Sequence, residues 1–553
     1  MIRRIGHLMT VVAVSSLTIA AQEINVRPVT EQDLLKGSKD PSTWLTFAGD
    51  YNGQRHTQAK QISPRNVASL VPQWVFQTGV PNPGRGLETT PLVVDGVMYA
   101  TGNANQAWAI DARTGRAIWS YQRQLPSNYS ASVCCGPGNR GFGILGDRLY
   151  LGTLDAHLVA LDRKTGKVIW DVQVGELKNA NSITMAPLVV KDKVIVGVAG
   201  SEFASRGFLD AYNAATGERV WRFYMIPLPG EPGGETWPNE EAALRGGGGL
   251  WVTGTYDPVL NNVYFGVGNP NPSYYGDDRL GDNLYTCSIV AIDPETGKLR
   301  WHYQFTPHDV HDWDSAHVPV LADFPIGGQL RKVVMVANRN TFFYTLDRET
   351  GKPLVAKPFT DNTNWAKEIG ADGRPVVLDD IGTEEKCLPD SRGGTNFQPP
   401  SFDPQRRLFF VTAHETCATW QPKKPIPPIT MGRRPASGGR KLVEGADQFA
   451  ALRAIDPATG ERKWEHRYRS YPSNVTLDLT GGIMTTATGL AFTGDNDGWF
   501  YAFDSSTGKE LWRFQVGAPV WGTAAMSYML DGRQWVVTPA GSTLTAFALP
   551  VAR

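Results

Sequence analysis

The sequence lacks a net charge of either sign, because 54 Lys and Arg residues balance 54 Asp and Glu residues. A chain with no overall field does not recruit nucleic acid or an anionic membrane surface by long-range attraction. We therefore expect no nucleic-acid partner, and the neutrality is compatible with a small uncharged substrate.

Cysteine is scarce, and two common cofactor motifs are missing. The 553 residues include five cysteines, none of them in a Cys-x-x-Cys-His motif. The chain therefore carries no covalent c-type haem, and any haem partner is a separate protein. No Gly-x-Gly-x-x-Gly motif is embedded in an alternating strand and helix pattern, which disfavours a nicotinamide-dependent enzyme.

The N-terminus has the pattern of an export signal. Arg3 and Arg4 precede an apolar run over residues 8–21, which ends in small residues before Gln22. This run is short for a bilayer span, and an uncleaved anchor is the less favoured alternative. The pattern predicts a signal peptide at 1–21 and a periplasmic mature chain at 22–553. No later stretch reaches transmembrane length, so we expect no membrane span in the mature chain.

Glycine, proline and tryptophan are abundant, with 58, 38 and 17 residues, and they accompany an internal repeat. The repeat reads Asp or Asn, two variable residues, Thr-Gly, three residues and Trp. Its first residue is found at Asp111, Asp162, Asn213, Asp293, Asp347, Asp456 and Asp504. Val355 replaces the tryptophan of the fifth copy. Where nothing is inserted, the tryptophans recur about every 50 residues, which is typical of a propeller.

Each copy has the composition of a β-hairpin. The Asp side chain can accept turn amides, and the glycine allows a positive φ. The tryptophan begins the next strand, where it can dock between neighbouring blades. Residues 74–79 resemble the second half of a unit and residues 546–548 the first half, so together they complete an eighth blade. The sequence predicts an all-β, eight-bladed β-propeller with tryptophan-docking repeats, in one domain at 22–553.

Several short motifs accompany the repeat. Adjacent Cys134 and Cys135 precede Asn139-Arg140-Gly141, a run of glycines precedes Trp251, and residues 307–314 read Pro-His-Asp-Val-His-Asp-Trp-Asp. With these motifs the chain resembles the pyrroloquinoline quinone (PQQ)-dependent methanol and ethanol dehydrogenases from about Gln22 to its C-terminus. The resemblance is to quinoproteins without a haem domain.

The resemblance implies a set of PQQ-binding residues. A vicinal Cys134–Cys135 disulfide would form one flat wall of the quinone site, and Trp251 would stack on the opposite face. Arg140 would bind a cofactor carboxylate, and Arg339 would contact the quinone oxygens. The remaining matches to cofactor contacts are Glu88, Thr184, Gly200, Ser201, Asn396 and Phe397. Without the resemblance, the cysteines are two loop thiols and Trp251 a core residue.

A metal site is implied as well. The resemblance assigns metal ligation to Glu202, Asn269, Asp312 and Asp314, and assigns catalysis to Asp312. Hard oxygen ligands of this kind suit calcium or another hard cation. The additional carboxylate of Asp314 resembles lanthanide-dependent members and balances a third positive charge, so a lanthanide(III) ion is favoured over Ca²⁺.

Some positions depart from the family pattern. His311 and Phe397 stand where tryptophan is common, Gly249 replaces a threonine, and no tryptophan precedes the glycines after Thr480. These departures argue against transferring the substrate preference of methanol or ethanol enzymes. Cys387 and Cys417 match a second family disulfide, which leaves Cys287 as a packed free thiol.

The predicted activity is oxidation of an alcohol to an aldehyde or ketone. Electrons from the reduced quinone would pass to a soluble cytochrome c. The alternative is a non-catalytic exported propeller that serves as an assembly scaffold. A scaffold explains the leader and the repeats, but not the simultaneous matches at Cys134, Glu202, Asn269 and Asp312.

Overall fold

A computed structural model of the chain describes residues 26–79, 86–379, 381–468 and 480–551. The predicted signal peptide at 1–21 lies outside the described residues. Two short α-helices, Glu31–Lys36 and Glu240–Leu244, are present in this part of the chain. The 3₁₀ turns are Gly37–Lys39, Val67–Ser69, Asn103–Asn105, Tyr129–Ser132, Leu177–Asn179 and Gly234–Thr236. Over the same ranges, no helix has the length and apolar character that crossing a bilayer requires.

The strands form eight sheets of four antiparallel strands each, which we call blades 1 to 8. Blade 1 consists of Leu92–Val94, Val97–Thr101, Gln106–Asp111 and Ala117–Gln122, and blade 2 of Gly143–Leu145, Arg148–Gly152, His157–Asp162 and Val168–Gln173. Blade 3 consists of Leu188–Val190, Lys193–Gly197, Phe208–Asn213 and Arg219–Tyr224, and blade 4 of Thr255–Asp257, Asn262–Gly266, Ser288–Ile292 and Leu299–Gln304. Blade 5 consists of Val320–Ile326, Gln329–Ala337, Phe342–Asp347 and Pro353–Pro358, and blade 6 of Ser401–Asp403, Leu408–Glu415, Phe449–Ile455 and Arg462–Arg467. Blade 7 consists of Met484–Thr486, Leu490–Gly494, Trp499–Asp504 and Glu510–Gln515, and blade 8 of Met526–Leu530, Arg533–Ala540, Thr543–Ala548 and Val71–Gln77.

Blade 8 closes the ring with strands from both ends of the chain. Val71–Gln77 pairs antiparallel with Thr543–Ala548, and Phe76 lies opposite Leu544. The pairing removes an open sheet edge and joins distant parts of the sequence. The split repeat and the all-β, eight-bladed prediction are therefore confirmed.

A few strands lie outside the regular blades. His56–Thr57 adds a parallel fifth strand to blade 7. Two small sheets pair Ser205–Arg206 with Gly246–Gly247 and Ala366–Ile369 with Pro375–Val377. A third pairs Ala418–Pro422 with Gly438–Leu442, and we call it the cover hairpin.

The repeated tryptophans dock each blade against the next. The Trp119 indole N–H in blade 1 donates to the Arg163 carbonyl in blade 2 at 3.0 Å. Its ring also covers Gly166, where an added Cβ would lie 2.7 Å from the ring and φ is +71°. The same pairing recurs between Trp74 and Gly115, Trp170 and Gly217, Trp221 and Gly297, Trp301 and Gly351, and Trp464 and Gly508. The Thr-Gly of the repeat is therefore a docking site as well as a turn.

We expect the Gly166→Ala substitution to destabilise the protein by about 2 to 4 kcal/mol, because it adds a left-handed alanine and overpacks the Trp119 ring. Gly532→Ala is the matched control, since Gly532 has φ +74° and no atom within 4 Å of an added Cβ. The control should cost only the backbone contribution of about 1 to 2 kcal/mol. The midpoints of urea denaturation measure both. Equal losses in the two variants would show that the tryptophan contact contributes nothing.

Candidate active site

The blade repeat explains why side chains from distant sequence positions meet. In an antiparallel sheet, the start of the first strand and the end of the second lie at the same edge. Ten of the predicted site residues lie in the segments that lead into the first strand of a blade: Glu88, Cys134, Cys135, Arg140, Thr184, Trp251, Asp312, Asp314, Asn396 and Phe397. The other five follow the second strand of a blade: Gly200, Ser201, Glu202, Asn269 and Arg339. All fifteen predicted site residues therefore belong to one end of the propeller.

A cavity of about 190 Å³ opens at this end. Its walls include all but two of the predicted residues: Glu88, Cys134, Cys135, Arg140, Thr184, Gly200, Glu202, Trp251, Asp312, Asp314, Arg339, Asn396 and Phe397. The other two lie directly behind the wall. The Ser201 hydroxyl accepts a hydrogen bond from the Gly249 N–H at 2.7 Å. The Asn269 N–H donates to Asp314 Oδ1 at 2.6 Å.

One half of the cavity combines a planar aromatic ring with positive charge. The guanidinium carbons of Arg140 and Arg339 lie 4.9 Å and 5.6 Å from the Trp251 ring centroid. Arg140 also forms a 2.6 Å ion pair with buried Glu88. Cys134 and Cys135 form a disulfide in the same wall. A flat anionic molecule fits these residues, because it can stack on the ring and accept from the two guanidinium groups.

Arg339 connects this half to the acidic half. It pairs with Asp314 Oδ2 at 2.9 Å and donates to Asn396 Oδ1 at 2.8 Å. Its Nη1 also donates to the Asp312 carbonyl at 2.8 Å. A fourth partner is the Ser391 carbonyl, to which Nη1 donates at 3.1 Å, so the guanidinium is held in one orientation before any ligand is bound.

The acidic half gathers three carboxylates. Oxygens of Glu202, Asp312 and Asp314 lie within 4.8 Å of one another. Burial and the negative charges of Glu202 and Asp314 raise the pKa of Asp312 well above its usual range. Burial and then Asp314 likewise raise the pKa of Glu202. Like charges held this close out of water are stabilised by proton uptake or by a compensating cation.

Two buried oxygens at this cluster also need a partner. Asn269 Oδ1 and Asp312 Oδ1 accept no hydrogen bond within the ranges that the structure describes. Together with the carboxylates, they form an all-oxygen donor set of the kind that hard cations prefer. The four predicted ligands therefore fit a metal ion.

His308 and His311 do not form a zinc pair. The His311 ring stacks on Trp313 with 4.4 Å between centroids, and burial lowers its pKa to about 3. His308 Nδ1 instead bonds the Gly281 carbonyl at 2.8 Å. The two imidazoles serve packing and local hydrogen bonding.

Several residues of the site were not predicted from the sequence, and three of them bear on its chemistry. The Tyr274 hydroxyl donates to Asp312 Oδ2 at 3.0 Å, and Trp521 lines the cavity. His317 bonds the Asn396 carbonyl through Nδ1 and accepts from the Arg339 N–H through Nε2. None belongs to a recurring pattern. Only the nearness of Tyr274 to the Gly268-Asn269-Pro270 motif offered a signal.

The chain belongs to the PQQ family of glucose, ethanol and alcohol dehydrogenases with a β-propeller domain, which matches residues 44–358 and 382–536. The family and the site together make it a PQQ-dependent alcohol dehydrogenase. The predicted class is confirmed, and the enzyme is favoured over the scaffold alternative.

Individual relatives agree with this assignment. The chain is 35% identical over 542 residues to the quinoprotein alcohol dehydrogenase PedH of Pseudomonas putida, covering 93% of this chain and 88% of that protein. It is 36% identical over 541 residues to the lanthanide-dependent methanol dehydrogenase of Methylacidiphilum fumariolicum, covering 92% of this chain and 86% of that protein. A solved europium-containing methanol dehydrogenase superposes with a TM-score of 0.86 at 32% identity, covering 94% of this chain and 100% of that one.

Proposed function

We propose that this chain is a periplasmic enzyme that oxidises an alcohol to an aldehyde or ketone, using PQQ and a lanthanide ion, and that it passes the electrons to a soluble cytochrome c. The observation that carries the proposal is the cavity itself. It places three carboxylates beside a guanidinium-flanked tryptophan and a disulfide. Each part has a role in alcohol oxidation.

The cofactor half would hold PQQ, which supplies a two-electron acceptor when bound. Trp251 and the Cys134–Cys135 disulfide would enclose its plane, and Arg140 would bind a carboxylate. Arg339 would place positive charge where negative charge develops on the quinone oxygens. Contacts at the remaining edge would come from Glu88, Thr184, Gly200, Ser201, Asn396 and Phe397.

The acidic half would hold the metal ion, which supplies Lewis acidity when bound. Glu202, Asn269, Asp312 and Asp314 would be its protein ligands. Three carboxylates balance the charge of a trivalent ion, which supports a lanthanide over calcium. The two relatives that name a lanthanide, one in sequence and one in structure, support the same preference.

Asp312 would act as the general base. It lies in the cavity wall, so an alcohol hydroxyl in the cavity can reach its carboxylate. The O–H bond of the alcohol would break and its proton would move to Asp312, while the carbinol hydrogen and its bonding electron pair would pass to the two-electron acceptor that the cofactor half is proposed to hold.

Location and electron acceptor rest on other features. The export pattern at 1–21 and the Cys134–Cys135 and Cys387–Cys417 disulfides support an oxidising compartment such as the periplasm. We propose a separate cytochrome c as the electron acceptor, since the sequence itself has no c-type haem motif. We propose residues 22–553 as the mature domain.

Reconstitution tests the proposal. The purified protein is incubated with PQQ and either La³⁺ or Ca²⁺, and dye reduction is followed over a panel of alcohols. We expect turnover that requires PQQ and is greater with La³⁺, because Asp314 adds a third carboxylate to the site. Samples without quinone or without metal are the controls.

Two results would contradict it. Turnover with Ca²⁺ alone would exclude the lanthanide and make Asp314 an incorrect indicator of the metal. Absence of both quinone binding and turnover with either metal would overturn the proposed activity.

A further inference from the structure

Tyr274 contacts the proposed base directly. It lies between the second and third strands of blade 4, five residues after Asn269, and its hydroxyl donates to Asp312 Oδ2 at 3.0 Å. The other Asp312 oxygen, Oδ1, is buried without a hydrogen-bond partner in the described part of the chain. The two oxygens of this carboxylate are therefore in different environments. One is held by a phenol and the other is left for the cation.

The main chain of Asp312 is also constrained. Its φ is +64°, in the left-handed region that few residues other than glycine adopt. Arg339 donates to its carbonyl at 2.8 Å. With the backbone held, rotation of the carboxylate is the remaining freedom, and the Tyr274 hydrogen bond restricts that rotation.

The cover hairpin and Ser437, which directly precedes its second strand, contact the ring and the backbone of Tyr274. The Tyr274 ring lies 5.5 Å from the Trp420 ring, and its backbone N–H donates to Ser437 Oγ at 3.3 Å. Trp420 also packs edge-on against His311, with 4.8 Å between ring centroids. The hairpin therefore contacts both the tyrosine and the loop that carries Asp312.

The hairpin is itself anchored at two places. The Cys387–Cys417 disulfide lies directly before it, and Leu388 and Ala418 exchange two backbone hydrogen bonds. Its connecting segment pairs with Ala204, which donates to the Arg433 carbonyl at 2.9 Å. Because the cover hairpin is anchored in this way, the fold holds Tyr274 in position before a ligand enters.

We propose that Tyr274 is a positioning residue that orients the Asp312 carboxylate for proton transfer. This inference rests on the proposed function. Tyr274 holds Oδ2 so that the carboxylate keeps one rotamer throughout turnover, with Oδ1 toward the cation. A base held within hydrogen-bond reach of its proton is more effective than one that rotates freely.

Tyr274→Phe tests the inference, because it removes the hydroxyl and keeps the ring that packs on Trp420. In the PQQ- and La³⁺-loaded enzyme, we expect kcat to fall by about tenfold to a hundredfold, as for loss of one hydrogen bond to a charged group. KM for the alcohol should change by less than about twofold, since ground-state binding is untouched. A primary deuterium isotope effect on kcat should persist or increase, because the chemical step becomes slower.

Tyr275→Phe is the matched control, as it removes a hydroxyl from the adjacent, solvent-accessible tyrosine. It should leave kcat unchanged. Quenching of tryptophan fluorescence by PQQ, titrated without substrate, should be the same in both variants and in the unsubstituted protein.

An unchanged kcat in Tyr274→Phe would overturn the inference while the proposed function stands. So would a rise in KM with weaker PQQ binding, because it would make the phenol a binding group instead of a positioning group. If the unsubstituted protein itself does not turn over, the proposed function has failed, and the inference fails with it.

Discussion

Replacing Asp312 by Asn should lower kcat by about 10² to 10⁴-fold with every metal and alcohol that support turnover. The amide has nearly the same shape, and its oxygen can still face the cation, but it cannot accept the proton of the alcohol. Asp312 lies in the cavity wall, where Tyr274 holds its carboxylate and Arg339 holds its backbone carbonyl. Glu202 and Asp314 are the other carboxylates near the proton, and we assign both to the metal alone, whereas Asp312 is both ligand and base.

Steady-state kinetics of the loaded variant measure this effect, and fluorescence titration with PQQ shows whether the cofactor still binds. We expect PQQ affinity to remain within a few-fold, since the aromatic and guanidinium groups are unchanged. An Asp312→Asn enzyme that binds PQQ and metal and retains full kcat would show that the proton goes elsewhere.

Replacing Asp314 by Asn should weaken the preference for La³⁺ over Ca²⁺. Loss of one of three clustered carboxylates costs a trivalent ion more than a divalent one, because the Coulomb energy scales with ion charge. We expect La³⁺ affinity to fall by about a hundredfold and Ca²⁺ affinity by about twentyfold, because the two losses in binding free energy stand in the ratio three to two. Turnover with La³⁺ at limiting metal should decline accordingly.

Isothermal titration of the PQQ-loaded protein with each ion measures the two affinities. Glu202→Gln is the matched comparison, because Glu202 is a shared ligand in our assignment and lacks the ion pair that Asp314 makes with Arg339. It should weaken both ions strongly. If Asp314→Asn binds La³⁺ as tightly as before, Asp314 serves only as the partner of Arg339 and Asn269, and our lanthanide preference is wrong.

The fold was predictable because its determinants are local and repeated. Trp119 and Gly166 stand at the same offset in their motifs as Trp464 and Gly508, and both pairs dock one blade on the next. The one copy without tryptophan was visible in advance, and there Val355 and Lys357 take the place of the ring against Gly460. Only the identity of the closing partner, Thr543–Ala548 for Val71–Gln77, needed an argument about the whole ring.

The candidate site was predictable in part. Residues in short motifs, such as Cys134, Trp251 and Asp312, are brought into one cavity as expected. Ser201 lies outside the cavity wall, where its hydroxyl accepts from the Gly249 N–H, so its predicted cofactor contact stays a prediction. His317 and Trp521 could not be found, since a single histidine or tryptophan in a chain with 17 tryptophans has no distinguishing pattern.

The sequence by itself determined the architecture and the chemical inventory: the hairpin repeat, the closing half-units and the carboxylates that follow particular strands. The tertiary structure alone decided which oxygen of Asp312 is held by Tyr274, which carboxylate pairs with Arg339, and that the cover hairpin reaches the site. The reason is physical. A repeat is read from spacing along the chain, whereas a hydrogen bond between residues 38 positions apart depends on how two inserted loops pack in three dimensions.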